Sequence, residues 1–271
     1  MPRQSPSACC ATYAMATNKL RPDTAGVWAA LEGHPLLRGF ILIGGTALTL
    51  RIGHRVSEDL DFAYTAPKLP KAQVSALVKH LAALNVQLVP EQNPLDEEEF
   101  FDSGLDLSDY QQNFLASHDG QGSVKISLVC FDPPMTDFLR GLPADPVRVA
   151  TLGEIFETKA WLCSERSKTR DWIDLFTLIK QHGYTFDDVY AVFRRVGRLA
   201  AFNNATSRLR SCKPGAADEG YLPHLARVPN GAPTLDEMRE FFNRELDALQ
   251  TRLARAAFRS QALDSQDGAA D

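Results

Sequence analysis

Phe40-Ile41-Leu42-Ile43-Gly44-Gly45-Thr46, followed thirteen positions after Thr46 by Asp59-Leu60-Asp61-Phe62, organises everything around it. The four-residue apolar run reads as a buried β-strand. Gly44-Gly45 ends it and lets the backbone approach a ligand closely. Thr46–Ile52 reads as a short helix whose first N–H groups can hold phosphate oxygens, with the Thr46 hydroxyl as a further donor. Residues 59–64 alternate Leu60, Phe62 and Tyr64 against Asp59, Asp61 and Ala63, a period-two strand with both carboxylates on one face. Two adjacent carboxylates repel unless a cation lies between them. Mg²⁺ is the natural cation for oxygen ligands that share it with nucleotide phosphates. Asp59 and Asp61 are therefore the expected metal ligands, and Gly44, Gly45 and Thr46 the expected phosphate binders.

Outward from this stretch, Thr24–Leu37 contains one expected helix, and Lys71–Leu84 reads as an amphipathic helix with Val74, Leu77, Val78, Leu81 and Leu84 at spacings of three and four. Val86–Val89 predicts a strand, Asn93–Ser108 an acidic loop with a helical turn, and 110–117 with 123–131 a hairpin about Asp119-Gly120-Gln121-Gly122. Four prolines within 131–148 mark a connection between two halves. Beyond it the pattern is helical: Thr151 with Glu154, and Thr234 with Glu237, are capping boxes opening helices to about Glu165 and Arg259. Arg170–Gln181 and Phe186–Leu199 are further helices, and 203–233 has weak periodicity. The apolar stripe of the last helix (Leu235, Met238, Phe242, Leu246, Leu249, Leu253) reads as core packing.

The expected organisation is a loose leader (1–23), an α+β domain (24–140), a helical domain (141–260) and a polar, disordered tail (261–271). At 271 residues with 44% hydrophobic and 23% charged residues, the composition is that of a globular protein with a sizeable core. Five cysteines without metal-ligand spacing argue against a zinc site and fit reduced thiols in a cytoplasm. There is no bilayer-length apolar run and no secretory h-region, so no membrane association is expected. A net charge of −5 argues against sequence-blind electrostatic binding to nucleic acid. The most basic region, Arg194, Arg195, Arg198, Arg208, Arg210 and Lys213, reads as a solvated helix face or an RNA cradle.

The stretch from Leu42 to Arg51, with His54-Arg55, Ser57 and Asp59-Leu60-Asp61-Phe62, resembles the AbiEii/AbiGii toxin family, in the DNA polymerase β-like nucleotidyltransferase superfamily. A downstream segment agrees: Lys159, Arg166, Lys168 and Arg170-Asp171-Trp172-Ile173-Asp174-Leu175 resemble the family's lysine helix, basic turn and Arg-Asp-x-x-Asp-Leu helix start. The resemblance covers about residues 25–182. It implies a polymerase β-like α+β domain of mixed sheet and helices followed by a helical domain. It also implies a cytoplasmic Mg²⁺-dependent enzyme, with two ions possible, that moves an NMP from an NTP to a hydroxyl on tRNA or protein. The role implied is the toxin of a toxin–antitoxin or abortive-infection pair whose antitoxin need not touch it. It adds Lys159, Asp171 and Asp174 to the catalytic candidates, and Lys168 and Arg170 to the nucleotide binders. Lone cations such as Arg166 read as surface residues, and His54 as a structural contact behind the glycine turn. One departure stands out: where the superfamily often has a third carboxylate, the aligned position is Ser127, with Lys125 on the same face and Asp132 beyond the strand. Proton abstraction would then fall to Asp171, Asp174 or a metal-bound water. The alternatives are a nucleotide-binding regulatory protein with weak turnover and a small-molecule nucleotidyltransferase.

Overall fold

The computed structural model describes residues 19–91, 102–118, 121–140, 147–215, 218 and 231–267, with side chains to residue 259. The fold is α+β, built on a six-stranded mixed sheet in the order β3-β4-β5-β2-β1-β6. The strands are β1 (Phe40–Ile43), β2 (Leu60–Tyr64), β3 (Val86–Pro90), β4 (Gln111–His118), β5 (Gln121–Cys130) and β6 (Arg148–Val149). β1 runs antiparallel to β2 and β2 parallel to β5, so Ile43, Asp61 and Ser127 lie side by side across the sheet. One face carries Leu60, Phe62, Ile126, Leu128 and Phe114, all buried. Helices α1 (Pro22–Leu31) and α3 (Lys71–Ala83) cover that face, with the Trp28 and Phe62 rings stacked 6.5 Å apart. Ser127 and the two carboxylates belong to the opposite side.

Between β1 and β2 lies α2 (Gly44–Ile52). The helical half follows as α4 (Leu152–Glu165), α5 (Thr169–Gln181), α6 (Phe186–Arg195), α7 (Leu199–Ser211) and α8 (Leu235–Asp267). Its apolar residues join one hydrophobic cluster with those of the sheet. Both expected capping boxes form, Thr151 with Glu154 and Thr234 with Glu237. Met238, Phe242, Leu246 and Leu249 are buried as core. No described helix is long and apolar enough to cross a membrane.

Several elements differ from the sequence expectation. The first helix stops at Leu31, and Pro35, which cannot continue a helix, opens a separate 3₁₀ turn, Pro35–Leu37. The leader is structured before residue 23: Leu20 is buried and bridges Ser57, and Arg21 pairs with Asp23 and Glu58. β2 begins at Leu60 rather than Asp59, because the Asp59 carbonyl is taken by the Thr46 hydroxyl. The strand β6 has only two residues and hence no readable period. It is held by Ala150 N–H to Leu42 O (2.9 Å) and by Arg51, which donates to the Val149 carbonyl at 2.7 Å. Helix α7 occupies part of the segment read as irregular. Its buried face is only Phe202, Ala205 and Leu209, and packing against α4 supplies what the pattern lacks. The last helix runs past Arg259 to Asp267, through Ala262 and Leu263, with no Gly or Pro before Gly268. The acidic run Asp96–Glu99 lies outside the described residues, as do Cys9 and Cys10.

Phe62, on β2, is a fully buried ring packed against α1. Phe62→Ala is expected to cost about 3–5 kcal/mol, read as a lowered midpoint in urea unfolding with an unchanged m-value.

Candidate active site

The sheet register places the ends of β1 and β2 together, and the site starts there. Helix α2 begins at Gly44, two residues earlier than expected. Its N-cap residue, Ile43, has no side chain able to satisfy the first N–H groups. Those donors belong to Gly44, Gly45 and the residues just after them, an uncapped helix N-terminus suited to anions. Gly44 adopts φ +70°, and a Cβ there would stand 2.9 Å from Asp61 Oδ2. At Gly45 a Cβ would stand 2.5 Å from Arg55 Nη2 and 3.0 Å from Ser57 Oγ. Both glycines are therefore required by what lies against them.

A cleft of about 330 Å³ opens over this turn. Of the expected residues, Gly44, Gly45, Asp59, Asp61, Lys159, Lys168, Arg170 and Asp171 line it, together with Ser127. Asp61 accepts a hydrogen bond from Ser127; burial, and secondarily the charge of Asp59, push its carboxyl pKa up. Arg170 Nη1 stands 3.5 Å from Asp59 Oδ2, a long contact, and the Asp59 side chain remains partly exposed. Burial pushes the Lys168 ammonium down, with Arg166 and Arg170 adding to the effect.

Two expected site residues lie elsewhere. Thr46 is buried; its hydroxyl donates to the Asp59 carbonyl and lies 2.8 Å from Ser57 Oγ, so it fixes the 57–59 segment rather than meeting phosphate. Asp174 is fully buried behind the cleft. Its Oδ1 accepts from Arg55 Nε and His54 Nε2, both at 2.7 Å. Its Oδ2 accepts from Arg55 Nη2 at 3.0 Å and pairs with Lys159 Nζ at 2.7 Å. Burial opposes its ionisation, but Arg55 and Lys159 outweigh burial and hold the carboxyl well below its usual range. It is a positioning group and a poor base. Asp171 reaches the cleft but is spent in the same way: Lys159 Nζ stands at 2.7 Å and Arg166 Nε at 2.8 Å, and its pKa is lowered.

Sequence reasoning left Arg55, Ser57 and Arg166 out of the site, yet all three line the cleft. Arg166, read as a surface cation, belongs to a chain of alternating charges: Arg55, Asp174, Lys159, Asp171, Arg166. The signal for Arg55 was its place beside His54, but its partner Asp174 is 119 residues away. His54 backs Asp174 rather than the glycine turn, and burial lowers its pKa, so the neutral ring donates from Nε2. In the basic region, Arg195 is spent on Glu157, Arg208 on the Cys163 and Ser164 carbonyls, and Arg210 on Asp247 and Asn243.

An uncapped helix start thus lies beside paired carboxylates and faces lysine and arginine side chains across the cleft. The chain belongs to the AbiEii family: the model described as "Nucleotidyl transferase AbiEii toxin, Type IV TA system" matches residues 27–270, well beyond the 182 reached by the motifs. It is thus a nucleotidyltransferase of a toxin–antitoxin family. Among solved structures it is similar to JHP933 from Helicobacter pylori, at 16% identity over 84% of this chain and 91% of that one, with a TM-score of 0.43. It is also similar to MenT4, the nucleotidyltransferase toxin Rv2826c from Mycobacterium tuberculosis H37Rv, at 16% identity over 81% and 82%, with a TM-score of 0.42. No curated protein sequence gives a significant match.

Asp174→Asn leaves Arg55 and Lys159 buried with one anion fewer, and is expected to cost about 3–5 kcal/mol. The folded-state pKa values of Asp171 and Asp174 are depressed, so their stabilisation is complete above the unfolded carboxylate pKa of about 3.9. It is lost as pH falls through the folded values. Urea titrations from pH 7 to pH 2 should show the wild type losing stability below about pH 4 and the variant following a flatter curve.

Proposed function

We propose that the protein transfers a nucleoside monophosphate from an NTP to a hydroxyl on a macromolecular acceptor, tRNA or protein, releasing pyrophosphate and acting as the toxin of its pair. The observation carrying this reading is that one cleft gathers the Gly44-Gly45 helix start, the carboxylates of Asp59 and Asp61, and the cations Lys159, Arg166, Lys168 and Arg170.

The donor set fits a divalent cation. Asp59 and Asp61 are paired oxygen ligands, and the Ser127 hydroxyl stands beside Asp61. Mg²⁺ takes one or two carboxylates and leaves its other positions to water and phosphate. When bound, the ion polarises the α-phosphoryl group and neutralises developing charge. The N–H groups at the start of α2 orient the phosphates. Lys159, held by Asp171 and Asp174, lies with Arg166, Lys168 and Arg170 in the cleft lining, where their positive charge offsets that of the departing pyrophosphate. Asp171 and Asp174 are committed to cations, so neither removes the acceptor proton.

A second reading, a nucleotide-binding protein with slow turnover, is favoured by Ser127 standing where a third carboxylate would serve the acceptor. To separate the two, the protein is incubated with Mg²⁺, each α-labelled NTP, and total tRNA or cell lysate. Transfer of label to a macromolecule, abolished in Asp59→Ala/Asp61→Ala and in the presence of EDTA, is the expected result. Nucleotide binding without transfer from any NTP would establish the slow-turnover reading instead.

A further inference from the structure

The cleft has two chemically different ends. Along β5 its lining side chains are Lys125, Ser127 and Val129, and Phe131 follows one step beyond the strand. Ser127 is in register with Asp61, so the charged chemistry is centred there. Four residues of extended chain then carry the lining roughly 13 Å onward to Phe131. On α4, Leu162 lies one turn beyond Lys159 on the same lining, and Met135 comes from the helical turn Met135–Phe138, which packs on α4 with the Phe138 and Trp161 ring centroids 6.3 Å apart. Val129, Phe131, Met135 and Leu162 thus form an apolar wall next to a strongly charged floor.

We propose that this apolar end is the nucleobase site and that the Phe131 ring is its stacking platform, an inference that rests on the NTP reading above. Phe131 is half-buried and packed against the core, yet no described aromatic ring or cation stacks on it. The other ring in the lining, Phe62, is fully buried and stacked on Trp28, so it is closed to a ligand. Thr158, the α4 hydroxyl in the lining, donates to the Ile155 carbonyl of its own helix. The four side chains of the wall offer surface rather than hydrogen bonds. A base held this way is retained by stacking, which every base can supply and which favours the larger purines.

Calorimetric titration of the full-length protein in Mg²⁺ with ATP, GTP, CTP, UTP and inorganic tripolyphosphate tests this. Phe131→Ala should weaken all four NTPs about tenfold and leave tripolyphosphate within about twofold, while Phe131→Trp should retain wild-type affinities. Equal weakening of NTPs and tripolyphosphate would make Phe131 a structural residue and overturn the proposal. So would unchanged NTP affinity in Phe131→Ala, or NTPs binding the wild type no better than tripolyphosphate. Failure of the wild type to bind tripolyphosphate and NTPs alike would instead bring down the nucleotide reading on which the base site rests.

Discussion

One carboxylate with no exposure to water, Asp174, ties the molecule together. Its two oxygens meet Arg55, His54 and Lys159, so the loop after α2, helix α4 and helix α5 converge on one point. A carboxylate so deep in protein is tolerated only with close partners of opposite charge and satisfied lone pairs. The cost of dehydrating these groups means the cluster is better understood as a positioning device than as a net source of stability. Its effect is geometric: the lysine of the helical half is held in the cleft that the carboxylates of the sheet half also line. Lys159 is a charge held by two carboxylates, not a mobile side chain waiting for phosphate.

The glycine turn depends on the same cluster. Gly45 has room for Arg55 only because it lacks a Cβ, and Gly44 stands against Asp61 for the same reason. The two glycines therefore bring the helix start, the Asp61 carboxylate and the arginine that anchors Asp174 close together. Thr46 completes the arrangement from inside by holding the Asp59 carbonyl. Asp59 thereby leaves the β ladder one residue early and keeps its carboxylate open on the cleft.

Local chemistry was readable along the chain wherever a residue's role depended on neighbours within a few positions. The period-two pattern at Asp59–Phe62, the capping boxes at Thr151 and Thr234, the amphipathic helix 71–83 and the β4–β5 hairpin are of this kind. Motifs also located most of the cleft, because Lys159, Lys168, Arg170 and Asp171 sit at spacings fixed by a helix, a turn and the next helix start. What failed were assignments that need a partner far along the chain. Thr46 and Asp174 were placed facing substrate, yet their own bonding turns them inward. Arg166 was set aside as a surface cation because Asp171 accepts from it only in the folded helix pair. β6 and α7 carry too few apolar residues to announce themselves, and packing against β1 and α4 specifies them.

By itself the sequence determined the α+β class, the glycine turn, the paired carboxylates and the family to which the chain belongs. These rest on periodicity, on the conformational freedom of glycine and on carboxylates two residues apart, all properties of short stretches. Only the tertiary structure decided which charges line the cleft and which are spent on one another. A buried ion must be paired, and its pair can come from any distance along the chain, as Arg55 and Asp174 do across 119 residues. The division of the cleft into a charged floor and an apolar wall has the same origin, since Phe131, Met135 and Leu162 become neighbours only when β5 and α4 pack together.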